Sequence, residues 1–488
     1  MSIATVTAEQ PLRARLHRFM SRPQRHRLLH GYPLAAAIPY ADHEARRRAA
    51  NGEPAFLLPR QKGSELLVGV LPHPFCNPKI RGCGYCTFPH ETFSHLKSSA
   101  VARAVVQEVH QRLSNQPDLA NVRVSGLYFG GGTANLTPPE PFRLLAQTLS
   151  DAFDLTGAEV SLEGVPRNFL RGKSRLIDVM QEELPARHFR ISMGMQTFSE
   201  TRLEQMGRLG FGRPSEFASV VRAAHQRGMT ASGDLLFNLP GQALVEMRDD
   251  VQQAVDIGLD QICLYHLVMF RGLGTAWSRN QALLSALPNN EEGADNWLQL
   301  REFLLNSGYR QTSLTNFERV ELAEDPRRYR YEPISYESVR CQVLGFGPAG
   351  ISYSAAPGSQ YALKTMNPES SAEYLQSVQS GGTIWNRYFQ YHQHDLELLY
   401  FTRRLAALRI DKASFSDSFT ASAWTRHLDR LAVLVEAGLL TECQHAYSVT
   451  PRGMFFSDSI AALLAEGRFP HGRGRRHGTN NDNSRGHM

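Results

Sequence analysis

Cysteine is scarce in this protein, with only six among 488 residues. Six cysteines are too few to form a disulfide scaffold for a chain of this length. The sequence also lacks any apolar run long enough to cross a membrane, and no signal peptide pattern opens it. We therefore expect a cytoplasmic protein with reduced thiols and no membrane partner.

Excess charge is missing from the body of the chain, although the formal net charge is +6. Ten Arg oppose four acidic residues in 1–60, and five Arg oppose one acidic residue in 467–488. Residues 61–466 therefore carry 38 basic and 42 acidic residues. A mildly acidic body argues against a polyanion-binding surface, so we expect no nucleic-acid partner.

Three of the six cysteines are concentrated in the segment "PHPFCNPKIRGCGYCTFPHE" (72–91), namely Cys76, Cys83 and Cys86. One interpretation is a zinc site with His73 or His90 as fourth ligand, but a second C-x-x-C pair is missing. Another is three unrelated buried thiols. The third, which we favour, is an iron–sulfur cluster with three thiolate ligands, which leaves one iron open for a cofactor or substrate. The scattered Cys263, Cys341 and Cys443 are expected to be packing residues.

Short apolar runs recur along the first half of the chain and have the length and composition of strands. Between them, segments such as 139–153 and 215–228 carry apolar residues three and four apart, as helices do. This alternation predicts an α/β fold with parallel pairing, a partial (β/α)6 TIM-like barrel. The six runs lie at 65–71, 124–130, 158–164, 188–194, 231–237 and 261–267.

A glycine-rich loop follows the second of these runs and comprises Gly130, Gly131, Gly132 and Thr133. Chemistry in barrels of this type occurs at the carboxyl ends of the strands, where both this loop and the cysteine segment should lie. Glycines let backbone N–H and C=O groups approach a ligand closely. We therefore expect the glycines and the cysteines to face one cavity, although an ordinary tight turn is the alternative for the glycines.

Taken in order, these motifs resemble the radical SAM superfamily, and most closely the branch named for oxygen-independent coproporphyrinogen III oxidase. That branch also contains heme chaperones and radical methylases. The resemblance is clear from about residue 65 to about residue 270 and continues weakly to about residue 465. The further shared motifs are "VSLEGVPRNF" (160–169), "RISMGMQTFSE" (190–200), "MGRLGFGR" (206–213) and "DLLFNLPGQ" (234–242).

The resemblance implies two cofactors and their ligands. Cys76, Cys83 and Cys86 would hold a 4Fe-4S cluster, whose open iron chelates S-adenosylmethionine (SAM) and cleaves it to a 5′-deoxyadenosyl radical. The glycine-rich loop would lie along the methionine part of SAM. Each remaining matched position could by itself be an ordinary cap, turn or surface residue, but together they match the SAM site: Glu163, Gln196, Arg208 and Asp234.

The sequence also departs from the pattern of the branch. Six residues separate the first two cysteines, where the family usually has three, but a longer loop costs little entropy. Val70 and Pro72 replace a Tyr and a His before the first cysteine, and Phe88 replaces a further cysteine of the coproporphyrinogen oxidases. The His-Asn and Tyr-Trp pairs of the heme chaperones are missing before "VLGFGPAG" (343–350).

These departures favour the methylase-like group, so we expect radical methyl or methylene transfer from a second SAM to an unsaturated carbon of a small-molecule acceptor. Some members of that group form cyclopropanes in this way. The alternatives are an oxidative decarboxylase of the coproporphyrinogen III oxidase type, or a non-catalytic heme chaperone with Tyr265 and His266 as heme contacts. The sequence identifies no catalytic residue.

The chain is expected to have four parts. These are an N-terminal extension at 1–60, a radical SAM core at 61–290, a substrate or lid region at 291–465, and a disordered tail at 466–488. Helical periodicity after residue 390 predicts that the lid region ends in a small helical or winged-helix-like domain. The radical chemistry also requires an electron donor such as flavodoxin or ferredoxin.

Overall fold

The structure is a computed structural model, and it describes residues 11–24, 31–56, 58, 63–76, 83–88, 90–172, 175–354 and 362–466. The predicted disordered tail lies, except for its first residue, outside these residues, as does the middle of the cysteine loop. Every helix in the described ranges is too short or too polar to span a lipid bilayer.

Two helices precede the sheet, α1 (Leu12–Met20) and α2 (His43–Ala50). The second begins after Asp42, whose carboxylate accepts a hydrogen bond from the Ala45 N–H at 2.7 Å. The backbone that leads into α2 bonds to the C-terminal half of the chain, since the Ala41 N–H donates to the Asn386 carbonyl at 2.8 Å. The N-terminal extension therefore packs against the later part of the fold.

Repeated strand–helix units form the centre of the molecule. The strands are buried on both faces, as in parallel sheets that helices cover. In chain order the elements are β1 (Glu65–Val70), β2 (Phe75–Cys76), β3 (Glu91–Thr92), α3 (His95–Asn115), β4 (Gly126–Phe129), α4 (Pro139–Ala152), β5 (Glu159–Gly164), α5 (Pro166–Phe169), α6 (Leu176–Glu183), β6 (His188–Gln196), α7 (Glu200–Gln205), α8 (Pro214–His225), β7 (Thr230–Phe237), α9 (Leu244–Asp256) and β8 (Gln261–His266).

All six predicted strands form, as β1, β4, β5, β6, β7 and β8, and they pair in parallel in that order. Their carboxyl ends therefore lie along one rim. The α/β TIM-like barrel prediction is confirmed. The strand bounds differ from the predicted runs by one or two residues. The longest extension is that of β6, which runs past the predicted end at residue 194 to Gln196, through a register shift between Gly194 and Gln196.

The sheet is wider than six strands. It has twelve, in the order β14-β13-β12-β11-β1-β4-β5-β6-β7-β8-β10-β9. Strand β11 adds to β1 in parallel, and the other added strands pair antiparallel. The elements of this part are α10 (Gln281–Ser285), α11 (Asn290–Asn306), β9 (Tyr309–Gln311), β10 (Asn316–Arg319), α12 (Tyr331–Ser335), β11 (Cys341–Phe346), β12 (Ile351–Ser354), β13 (Leu363–Met366), α13 (Ser371–Gln379) and β14 (Arg387–Gln390).

The chain ends in a helical unit with a small three-stranded sheet, ordered β15-β17-β16, in agreement with the predicted winged-helix-like domain. The indole N–H of Trp297 on α11 donates to the Pro451 carbonyl at 3.0 Å, which links this unit to the barrel. Its elements are α14 (Gln393–Ala406), β15 (Arg409–Asp411), α15 (Lys412–Ser416), α16 (Ala421–Thr425), α17 (Leu428–Glu436), β16 (Leu440–Glu442), β17 (Ala446–Val449), α18 (Pro451–Phe455) and α19 (Ser457–Leu464).

Candidate active site

A cavity of about 480 Å³ opens at the carboxyl ends of the parallel strands. Its wall includes Gly130 and Gly131 from the loop after β4, Glu163 from β5 and Asp234 from β7. The volume lies within the range of small-molecule and cofactor sites. The cysteines, which the sequence predicts to face the same cavity as the glycines, lie beside this cavity and are not part of its described wall.

The cysteine segment is fixed to the rim at both of its described ends. Cys76 lies in the short β2, which pairs with β3. At the other end, the Gly84 N–H donates to the Met206 carbonyl at 3.4 Å, and the Trp277 N–H donates to the Gly84 carbonyl at 2.9 Å. A Cβ at Gly84 would lie 2.2 Å from the Trp277 ring, so this close approach requires glycine.

The three thiols are partly buried and lie within electrostatic reach of one another. Burial raises the pKa of Cys76 to about 11 and also raises the pKa of Cys86. Thr133 Oγ1 lies 3.6 Å from Cys76 Sγ, and Arg208 Nη1 donates to Cys83 Sγ at 3.0 Å. Without a metal, Cys76 and Cys86 are therefore protonated at neutral pH, and iron would have to displace these protons to bind thiolates.

The alternative zinc site finds no support in the described residues. No three His, Cys, Asp or Glu side chains among them converge as a single metal ion requires. His73 is buried, and its Nδ1 accepts from the Phe75 N–H at 3.2 Å, while His90 Nδ1 lies 2.9 Å from the Phe88 carbonyl. A four-iron cluster spreads its thiolates over different irons, so it does not require the three sulfurs to meet at one point.

The glycine-rich loop packs directly on the cysteine segment. Gly131 has φ of +111°, a conformation that other residues rarely adopt. A Cβ at Gly132 would lie 2.9 Å from the Pro74 carbonyl oxygen, just before Cys76. Thr133 is buried, and its hydroxyl donates to the Gly132 carbonyl at 2.8 Å. The loop thus joins the cavity wall to the first cysteine.

Three carboxyl groups line the cavity with raised pKa values, and two of them, Glu163 and Asp234, are residues predicted from the sequence. Burial, together with the neighbouring Asp234, raises the pKa of Glu163 to about 7. The hydroxyl of Tyr128 donates to Glu163 Oε2 at 3.1 Å and partly opposes this shift. Burial also raises the pKa of Asp234 to about 6, although Arg190 lowers it. Near neutral pH these carboxyls therefore lie close to their titration range, and a cationic ligand would favour their ionised forms.

Gln196 and Arg208 meet at the end of β6, outside the main cavity wall. Gln196 has φ of +73° at the register shift. Arg208 is buried and donates through Nη2 to the Gly194 carbonyl. A Cβ at Gly194 would lie 3.1 Å from both Arg208 Nη2 and Gln196 Nε2. Because Arg208 also contacts Cys83, this pair lies beside the cysteines.

The structure thus brings the predicted residues into one neighbourhood, through the contacts of Thr133 with Cys76 and Arg208 with Cys83. It also adds residues that the sequence analysis missed. Two of these residues could have been found in the sequence, because each is a charged residue inside an apolar run: Arg190 in "RISMG" and Lys364 in "ALKTM". The missed charged residues of the cavity wall are Arg190, Glu332, Lys364 and Arg403.

Arg190 contacts both a side-chain amide and an aromatic ring. Its guanidinium donates to Gln261 Oε1 at 2.9 Å and lies 4.2 Å from the centroid of the Tyr329 ring. Burial alone would lower its pKa, but Tyr329 and Tyr128 raise it on balance. A permanent positive charge therefore lies inside the barrel near the carboxyl groups of the cavity.

The two residues considered as heme contacts line different pockets. Tyr265 lines the cavity, whereas His266 lines a separate pocket. The His266 ring packs between Phe237 and Phe455, with centroid distances of 5.5 and 5.0 Å. Its Nδ1 lies 3.1 Å from Asn238 Nδ2. This arrangement favours a packing role for His266.

Comparison with known proteins gave no matching family model. An anaerobilin synthase of Escherichia coli O157:H7 is 26% identical over 327 residues, covering 63% of this chain and 69% of that protein. An oxygen-independent coproporphyrinogen III oxidase of Paracoccus denitrificans is 28% identical over 338 residues, covering 66% and 69%. A heme chaperone HemW of Haemophilus influenzae is 22% identical over 399 residues, covering 80% and 96%. The resemblance to the radical SAM superfamily is confirmed.

The fold agrees with that of a radical SAM enzyme. Coproporphyrinogen III oxidase (HemN) of Escherichia coli superposes with a TM-score of 0.70 over 89% of this chain and 96% of that one, at 20% identity. Radical SAM homologues imply SAM and a 4Fe-4S cluster as cofactors. The donors present here fit both groups: three partly buried thiols for the cluster, and glycine backbone with two carboxyls for the cationic SAM.

Proposed function

We propose that this radical SAM enzyme transfers a one-carbon unit, as methyl or methylene, from a second SAM to an unsaturated carbon of a small-molecule acceptor. When bound, the cluster and the first SAM would supply a 5′-deoxyadenosyl radical as hydrogen-atom acceptor. The protein's part is to bind, orient and shield these molecules. A product containing a cyclopropane ring would be one outcome of such a transfer.

The observation that supports radical SAM chemistry most directly is the convergence of the glycine loop, Arg208 and the three cysteines at one rim. Cys76, Cys83 and Cys86 would hold the cluster. Gly130 and Gly131 present backbone to the cavity, where they would bind the polar groups of the methionine part. Glu163 and Asp234 would accept hydrogen bonds from SAM and offset its positive charge.

Arg208 would act from the other side of the cluster site. Its guanidinium already contacts Cys83 and the Gly194 carbonyl. The planar guanidinium carries N–H donors that can bind a carboxylate, and its positive charge can also stabilise the negative charge of a ligating thiolate. Gln196, which lies near Arg208, would fix the position of the guanidinium.

Methyl transfer is favoured over decarboxylation by the residue at position 88. Coproporphyrinogen oxidases of this branch carry a further cysteine there, whereas this protein has Phe88, whose side chain lines the cavity. A phenyl ring offers neither a proton nor a ligand. The chaperone alternative is weakened by the packed position of His266 between two phenylalanines.

The proposal is tested by turnover with SAM labelled in its methyl carbon, in the presence of reductant and candidate alkene, aromatic or tetrapyrrole acceptors. We expect 5′-deoxyadenosine, S-adenosylhomocysteine and labelled product, because one SAM is cleaved and another gives up its carbon. A decarboxylase would form 5′-deoxyadenosine and carbon dioxide while all label stayed in methionine and SAM. Stoichiometric heme binding without SAM cleavage would instead support a chaperone.

A further inference from the structure

Lys364 is a buried lysine in the wall of the cavity. It lies on β13, a strand whose four residues are all buried, and its side chain is only 4% exposed. One ammonium proton is donated to the Pro33 carbonyl at 2.7 Å. Among the lysines that the structure describes, Lys412 alone has an ion pair, so no described carboxylate neutralises Lys364. A buried charge without a counter-ion is costly unless a ligand supplies one.

A second cation lies beside it in the same wall. Arg403 comes from α14, and its guanidinium lies 6.0 Å from the centroid of the Tyr353 ring. Burial first, and then the charge of Arg403, lower the pKa of Lys364 to about 7. Two elements outside the six strand–helix units thus direct cationic side chains toward one region of the cavity.

This cationic pair is distinct from the region assigned to SAM. The cations that act on Asp234 are Arg190 and Arg208, whereas the cation that acts on Lys364 is Arg403. Glu332 is acted on by both Arg190 and Arg403, so it borders both regions. Glu332 also lines the cavity. Burial raises the pKa of Glu332 to about 7. With Lys364 protonated and Glu332 ionised, Lys364, Arg403 and Glu332 together carry a charge of +1, which one ligand carboxylate would offset.

We propose that Lys364 and Arg403 bind a carboxylate group of the acceptor substrate. The inference rests on the proposed function, since it takes this cavity as the substrate site. The remaining ammonium protons of Lys364 are donors suited to a carboxylate, and the positive charge of Arg403 beside them adds to the attraction. A phosphate, with about two negative charges near neutral pH, would exceed the positive charge of this region.

The test is binding of benzoate to the reconstituted full-length protein by calorimetry, without an acceptor and without turnover. Lys364→Met should weaken benzoate binding about tenfold or more, as expected for loss of a charged hydrogen bond. Lys97→Met, at an exposed helix position, should leave it unchanged. Lys364→Arg should retain most of the affinity. If Lys364→Met does not fold, Arg403→Met supplies the same comparison.

Benzamide and phenyl phosphate complete the test. Benzamide, which has the same shape without the charge, should bind much more weakly than benzoate. Equal binding of benzamide and benzoate, no benzoate binding, or an unchanged affinity in both cavity variants would overturn the proposal. Tighter binding of phenyl phosphate that depends on Lys364 would assign the site to phosphates instead. Benzoate binding as expected, combined with failure of the labelled-methyl experiment, would leave the anion site intact and refute only the reaction.

Discussion

At the scale of single residues, Gly131 has a backbone conformation that favours glycine, so few substitutions should be tolerated there. Its φ of +111° is strained for any residue with a Cβ, and a Cβ there would lie 3.3 Å from Leu71. Gly131→Val should therefore weaken SAM binding by about tenfold or more, because about 1–3 kcal/mol of strain would move the loop. Equilibrium binding of SAM to the reconstituted variant measures this effect.

The matched control is Gly228→Val. Gly228 also has a positive φ, +69°, but it follows α8, and a Cβ there meets nothing within 4 Å. This variant should lower thermal stability without changing SAM affinity. If Gly131→Val bound SAM as tightly as the wild type, the loop would not contact SAM.

Glu163 and Asp234 predict the pH dependence of SAM binding. Their pKa values are raised to about 7 and about 6, so their carboxylates are lost as the pH falls through these values. Because SAM is cationic, its affinity should fall several-fold between about pH 8 and about pH 5.5. In Glu163→Gln the step near pH 7 should disappear while the lower step remains. Equal affinity of the wild type across this range would exclude both carboxylates as SAM contacts.

The candidate residues were predictable where chemistry and order along the chain identify them, as for the three cysteines and the glycine loop. Arg403 was not, because its sequence context on α14 is that of an ordinary amphipathic helix. Only the packing of α14 against the barrel gives Arg403 a place in the cavity wall. The roles of the matched residues as SAM or cluster ligands stay predictions.

At the scale of elements, the cysteine loop depends on a contact made far along the chain. Trp277 lies over Gly84, and its ring also packs edge-on against Tyr85 with centroids 5.8 Å apart. Gly84→Ala would place a methyl group 2.2 Å from the rigid indole, so the loop or the ring must shift. We expect Gly84→Ala to retain much less iron after reconstitution than the wild type.

A double-mutant cycle tests this mechanism. Trp277→Ala removes the indole ring that a Cβ at position 84 would clash with. Gly84→Ala should therefore lower the iron content much less in the Trp277→Ala background than in the wild type. Iron content per chain and thermal stability, measured for all four proteins, give the coupling. Equal losses in the two backgrounds would show that the Trp277 contact does not position the loop.

The strand–helix units were predictable because buried parallel strands are short apolar runs separated by amphipathic helices. The added strands β11 to β14 were not predicted, since they form through long-range pairing such as that of Cys341 with Glu65. Local periodicity carries no information about such pairing. The register shift in β6, which positions Gln196, could not be predicted from the sequence either.

At the scale of the whole molecule, the cavity is assembled from three parts of the chain. The strand–helix units supply Gly130, Glu163 and Asp234, the later strands and α14 supply Lys364 and Arg403, and the N-terminal extension supplies Ala35. The predicted boundaries at residues 60, 290 and 465 stay a prediction, but the sheet itself continues beyond residue 290. The cavity is therefore formed by the fold on both sides of that boundary.

The central claim is that the three cysteines hold a cluster that cleaves SAM beside this cavity, and formation of 5′-deoxyadenosine tests it most directly. Anaerobically reconstituted protein with about four irons per chain should form 5′-deoxyadenosine from SAM when a reductant is added. Cys83→Ala should lose both the iron and the product, whereas Cys443→Ala, at an exposed cysteine elsewhere, should keep both. Tight zinc binding with no cluster, or an iron-loaded wild type that forms no 5′-deoxyadenosine, would contradict the account.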